Sequence, residues 1–268
     1  MVLASSLIYA QSEGHLIDES EKYASSLSVD IDVGYTSYII DVTSSELNRA
    51  IDYDVLELRL GSSYSYGNWM WGVNTKVLLR EEQSNLRSKE ASIIIKDSAT
   101  IDRQELSLYG SYKLNEEFRA NLLYRYANLE STDGYHDVLR YDTSFIYRTD
   151  GMALSLVYIP SFLRNEKQLL WLSSGVVYSQ AQVEIDEKVD ERVGDVSIDD
   201  TSTAVGFQLG MGYNYSVHQN LMLKLSVDWY HFDFGELDVM SKNLNGMLEK
   251  ASLEEETYSV RLGVVYRF

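Results

Sequence analysis

Apolar side chains return at every second position along most of this chain. Nowhere do they gather into the 18 or more consecutive apolar residues that a membrane-crossing helix requires. A period of two puts successive side chains on opposite faces of an extended strand. The final segment shows it most clearly. Tyr258, Val260, Leu262, Val264, Tyr266 and Phe268 share one face, and Ser259, Arg261, Gly263, Val265 and Arg267 share the other. The same alternation runs through Val205 to Tyr215, Leu221 to Trp229, Phe118 to Tyr126, Leu139 to Tyr147, Leu56 to Tyr66 and Trp69 to Leu79. The chain therefore reads as all-β.

Alternation alone also fits a soluble sandwich, in which turns recur every 8–12 residues or so. Here the strands run longer, and their apolar faces end in Tyr and Trp. Tyr occurs 21 times and Pro once. Aromatic tips of this kind form the girdles of a barrel wall where hydrocarbon meets headgroups. The connections alternate in length. Short turns are expected at Gly67-Asn68, Leu114 to Glu116, Thr149-Asp150-Gly151 and Val217 to Gln219. Long polar connections are expected at 42–52, 81–100, 129–136, 186–202 and 235–254.

Ten segments stand out, near 26–40, 53–66, 69–80, 103–113, 117–129, 138–148, 152–160, 203–216, 220–234 and 256–268. Residues 167–172 and 176–185 flank Ser173-Ser174-Gly175 and read as a further hairpin. The expectation is a transmembrane antiparallel up-and-down β-barrel of 12 strands. If 161–202 were all loop, the count would be 10. Both keep the even parity of bacterial barrels.

The strand that carries Tyr258, Tyr266 and the terminal Phe268 resembles the closing strand of bacterial outer-membrane β-barrel proteins. The likeness as a layout covers about residues 26–268. It implies a Gram-negative outer membrane, with lipid and lipopolysaccharide around the wall. It also implies that the barrel assembly machinery reads Tyr258, Tyr266 and Phe268. With the chain ending in the periplasm, the short turns share that side and the long loops are extracellular. Residues 1–25 read as a signal-peptide remnant and periplasmic tail, with small-residue cleavage near Ala10. Residues 26–268 read as one barrel domain.

The formal net charge is −18, from 41 acids against 23 Lys and Arg. An acidic chain argues against nucleic acid. No cysteine is present, which excludes disulfides and thiolate metal sites. Acids cluster at 186–200 and at Glu236, Asp238, Glu249 and 254–256. A solvated surface accounts for them, no cation-loop spacing accompanies them, and no metal or cofactor is expected.

By parity the inward face carries Arg59, Lys76, Arg80, Arg119, Arg125, Arg140, Arg148, Lys224, Arg261 and Arg267. Its acids are Asp30, Asp32, Glu57, Glu105, Asp142 and Asp228. A lumen richer in Arg and Lys than in acid points to a porin-like channel for small anionic solutes. Two alternatives stand beside it: an ion-pair network that plugs the barrel, with partners bound at acidic surface loops, and a barrel hydrolase. The hydrolase rests on His231 and Asp233, two apart on one strand face, which faintly resemble the Asp–His pair of the omptin proteases. Asp30-Ile-Asp32 lies on another strand, and His136-Asp137 has no partner Ser motif.

Overall fold

The alternating segments pair into a sheet that closes on itself in a computed structural model. It describes residues 25–43, 48–88, 94–96, 100–135, 141–163, 165, 167–189, 196–241 and 248–268. The wall consists of β1 (Ser25–Thr43), β2 (Asn48–Tyr66), β3 (Trp69–Ser88), β5 (Thr100–Lys113), β6 (Phe118–Tyr135), β7 (Tyr141–Tyr158), β8 (Gln168–Val189), β9 (Val196–His218), β10 (Leu221–Ser241) and β11 (Leu248–Arg267). A three-residue strand, β4 (Ile94–Lys96), pairs with β3 at Asn85 to Arg87. Each wall strand lies antiparallel to its neighbours, and β1 on β11 closes the ring. The structure is a closed, up-and-down barrel of ten strands; the ladder between β3 and β5 runs from Trp69–Tyr112 to Val77–Gln104.

Ten strands, not twelve, follow from two corrections. Both expected turns, Thr149-Asp150-Gly151 and Ser173-Ser174-Gly175, lie inside single strands. In β7, Asp150 pairs with Tyr126 on one side and Gln180 on the other. In β8, Gly175 pairs with Ser155 and Gln208. The segment 161–202 is not all loop either, since it holds β8 and the start of β9. Asp, Ser and Gly are turn formers, but here Gly151 and Gly175 face inward at close-packed positions, and Asp150 and Ser174 face outward. A Cβ at Gly175 would lie 2.6 Å from the carbonyl oxygen of Leu154, and one at Gly151 would lie 2.6 Å from that of Tyr178. Among the described glycines, positive φ occurs at Gly67 (57°), in the Gly67-Asn68 turn that does reverse the chain.

The wall strands are also longer than expected, 14 to 23 residues each. A tilted strand crosses a bilayer in about 9–11 residues, so roughly half of most strands lies beyond a membrane. Most of the expected long connections are paired strand. Asp186, for example, pairs with Ser197, and Glu254 pairs with both Asp41 and Asp233.

The two faces exchange character part-way along. Towards the end with the short turns, the outer face is apolar: Val29, Ile31, Val33 and Tyr35 on β1, and Leu209, Phe207 and Val205 on β9, are all exposed. Beyond that belt the outer face turns polar, at Ser37 on β1, Asp54 on β2, Gln104 on β5, Gln180 on β8 and Thr203 on β9. The inner face does the reverse. Beneath the belt it carries Ser, Gly, Asn and charged groups on β1, β2, β10 and β11, with Leu123, Val157 and Trp171 buried among small and polar groups on β6 to β8, and beyond the belt it is lined by Ile40, Val55, Leu129, Phe145, Phe232 and Leu253. The expected facing of Phe145 and Tyr147 is corrected accordingly: both point inward. An apolar outer belt over a polar interior is what hydrocarbon demands, and an apolar interior under a polar surface is what water demands.

A short epitope inserted after Ser174 is expected to abolish folding, because it interrupts β8 between two neighbours. The same insertion between Asn115 and Glu116, in the turn joining β5 and β6, is expected to leave a folded, heat-modifiable barrel on gel electrophoresis. Tolerance at Ser174 would restore the hairpin.

Candidate functional site

Charged side chains occupy the interior from near its turn end to its middle. Arg59 on β2 donates from Nη2 to Asp30 Oδ2 at 2.6 Å and also pairs with Asp32. Lys224, arriving from β10, lies 3.0 Å from Asp30 Oδ2 and 2.6 Å from Asp32 Oδ1. Arg261 on β11 pairs with Asp228 on β10. Glu57 accepts from Thr36 Oγ1 at 2.9 Å and from the Tyr38 hydroxyl at 2.8 Å.

A second group spans the barrel rather than following its wall. Lys76 donates to Glu105 at 2.9 Å, and Arg125 on β6 lies 3.7 Å from the same carboxylate. Arg125 then reaches across the interior to Glu255 on β11, at 3.5 Å. Glu255 is fully buried. It also accepts from the Tyr147 hydroxyl at 2.5 Å, and Arg103 lies 4.0 Å away. Arg103 donates to the Tyr53 hydroxyl at 2.9 Å and stacks over the Tyr38 ring at 3.8 Å.

Aromatic rings surround this group, and apolar side chains such as Phe234 and Leu253 follow towards the loop end. Tyr38 and Tyr53 stack at 5.0 Å, and Tyr147 meets Phe234 edge-on at 6.5 Å between strands that are not neighbours. One interior void, beside Arg125, Thr149, Tyr230 and Phe232, measures about 10 Å³. That is at the lower limit for a single water molecule.

The cations expected in the lumen separate into groups. Arg59, Lys76, Arg119, Lys224 and Arg261 are inward and buried, and Arg125 is inward and nearly so. Arg148 is on the outer face, paired with Glu184 at 3.0 Å. Arg80 is exposed where β3 bulges against β2, and Arg267 is half-buried at the turn end. Arg140, the side chain of Asp142 and the tail 1–24 lie outside the described residues. Glu255 and Arg103 were missed. Both were legible, because Thr257 and Glu105 fix the inward parity and each missed residue is two positions away. Glu255 and Arg103 offset each other; because Arg80, Arg148 and Arg267 are not buried inside, the described interior holds seven cations against six acids, close to charge balance.

His231 and Asp233 share the outer face of β10, as the alternation predicts, and the other acid pair considered with them, Asp30 and Asp32, lies on the opposite side of the wall. His231 is on the outer face, its ring stacked on Trp229 at 6.1 Å. The neighbouring Glu256 accepts from Trp229 Nε1 at 2.8 Å and from the Tyr258 hydroxyl at 2.6 Å. Asp30 and Asp32 are inside the barrel, near its turn end. His136-Asp137 lies outside the described residues.

The outer wall beyond the apolar belt is acidic. Asp41, Glu254 and Asp233 stand directly opposite one another on β1, β11 and β10, an arrangement that like charges disfavour. Lys250 pairs with Asp238 at 2.6 Å, and this hydrogen bond holds its ammonium above the usual lysine range.

At the other end, the closing strand is anchored through its backbone. Phe268 N–H donates to Leu27 at 2.9 Å, and the Asn220 side chain donates to the Arg267 carbonyl at 2.8 Å. Tyr266 and Phe268 meet edge-on at 5.0 Å.

No protein-family model matches the chain, and no curated protein matches it. Solved structures do. The outer-membrane protease OmpT of Escherichia coli superposes with a TM-score of 0.64 at 13% identity, over 91% of this chain and 97% of OmpT. The fold is that of a bacterial outer-membrane β-barrel. The translocator domain of the autotransporter NalP of Neisseria meningitidis gives 0.53 at 12% identity, over 91% of this chain and 89% of that one. At these identities the likeness extends to the fold alone.

Replacing Glu255 by Leu is expected to cost about 3–5 kcal/mol in urea unfolding from lipid vesicles, because Arg103 and Arg125 lose a buried counter-charge. Replacing the exposed Asp233 by Leu is expected to change stability by about 0.5 kcal/mol or less. Equal small effects would mean that the Glu255 cluster is solvated.

Proposed function

We propose that this chain is a non-conducting outer-membrane barrel that works at the cell surface, binding a cationic partner along its acidic wall. One observation supports this reading: among the described residues, buried ion pairs around Asp30, Arg59 and Lys224 are followed towards the loop end by buried apolar side chains such as Phe232 and Leu253. A path for solutes would have to separate buried ion pairs and then open an apolar core. The orientation adopted here places Phe268 and the short turns in the periplasm and the acidic half outside, with lipopolysaccharide around the apolar belt. In this orientation Tyr258, Tyr266 and Phe268 are available to the assembly machinery before the barrel closes.

The acidic wall supports the partner's charge. Asp41, Asp52, Asp54, Asp233, Glu254 and Glu256 all belong to the polar outer face of β1, β2, β10 and β11. The cations Arg148 and Lys250 on the outer wall are already paired. Such a surface attracts basic ligands, and the attraction weakens as salt rises. The conducting alternative, a porin-like channel for small anions, rests on Arg59, Lys76, Arg119 and Arg125, most of which have counter-ions in the interior.

Planar-bilayer recording of the refolded protein separates the two. The expected trace shows no conductance steps, while steps with anion selectivity would overturn the closed reading. Binding of fluorescent polylysine to intact proteoliposomes is expected to fall in the D233N/E254Q/E256Q variant and in high salt. Unchanged binding would remove the acidic wall from the account.

A further inference from the structure

The lipid-facing belt is not smooth. A hollow of about 660 Å³ opens on the outside of the wall across β3, β5, β6 and β7, within the usual size range of ligand pockets. Two small outward residues form its floor, Gly110 on β5 and Ala120 on β6. Their neighbours are large. Gly110 pairs with Trp71 on one side and Leu122 on the other, and Leu122 pairs in turn with Leu154. Ala120 pairs with Tyr112. A Cβ placed on Gly110 would meet a single atom within 4 Å, the Trp71 ring carbon at 3.6 Å, so the floor faces open space.

We propose that this hollow seats one acyl chain of a membrane phospholipid, with the headgroup at the turn end of the barrel. Three observations select that occupant. The hollow is continuous with the apolar belt, so hydrocarbon is the medium around it. Among the described residues that line it, none is charged. Its lower mouth, at Ala120 just above the 114–117 turn, is flanked by Trp69 and Tyr112, whose rings lie 4.7 Å apart. Tyr and Trp at that depth are the side chains that meet headgroups. The site goes beyond the surface role proposed above and does not depend on whether the lumen conducts.

Native mass spectrometry of the folded protein tests it, after exchange into detergent containing palmitoyl-oleoyl phosphatidylethanolamine. The wild type is expected to retain one phospholipid per monomer. Gly110→Phe and Ala120→Leu, which fill the floor from two strands, are each expected to weaken retention by roughly tenfold or more. Ser174→Phe, an outward change on β8, is expected to leave retention intact. Heat-modifiable migration confirms that each variant has folded, and two independent fillings keep the test valid if one fails. Three outcomes would overturn the proposal: no retained lipid in the wild type, equal retention in both filled variants, or a dimer that filling converts to monomer, which would make a second copy the occupant.

Discussion

A closed sheet has two faces, and in this barrel one continuous sheet meets two solvents. Within the apolar belt the surrounding medium is hydrocarbon, so the outside must be apolar and every backbone group must find its partner in the wall. Past the belt the medium is water, and the requirement reverses. The same ten strands satisfy both by exchanging the roles of odd and even positions. On β9, Leu209, Phe207 and Val205 face out in the belt, whereas Ala204 and Ile198 face in beyond it. Register is what makes this work, since a one-residue slip in any strand would turn both halves inside out at once.

The ion network belongs to the level where the interior changes over. Charged groups removed from water need close counter-charges, and the polar half of the interior supplies them from several strands. Glu255 on β11 is placed to join β5, β6 and β7 across the barrel, aromatic rings surround it, and the apolar layer follows towards the loop end. The network and the layer follow one another along the interior, and the proposed surface role rests on that succession.

Much of this was legible in the sequence. The alternation from Tyr258 to Phe268 places that strand correctly, and the inward parity of Arg59, Lys76, Lys224 and Arg261 holds. Reading failed where local composition competes with tertiary context. In Thr149-Asp150-Gly151 and Ser173-Ser174-Gly175 the two glycines stand on the inner face for a different reason, since neighbouring strands leave no room there for a Cβ, while Asp150 and Ser174 are exposed on the outer face. Apolar alternation predicts Phe145 and Tyr147 outward, a rule that holds in the belt and inverts beyond it. Glu255 was lost because β11 begins before residue 256, inside what reads as an acidic loop. The contacts that give Glu255 its meaning come from residues more than 100 positions away, such as Tyr147.

The exchange of faces is the central claim, and spin-label accessibility along β9 tests it directly. Single labels at residues 199, 201, 203, 205, 207 and 209 in lipid vesicles would report oxygen, which prefers hydrocarbon, against a water-soluble nickel complex. The account predicts oxygen-dominated relaxation at 205, 207 and 209, changing to nickel-dominated relaxation at 203, 201 and 199. Oxygen-dominated relaxation that continues to residue 199 would contradict it.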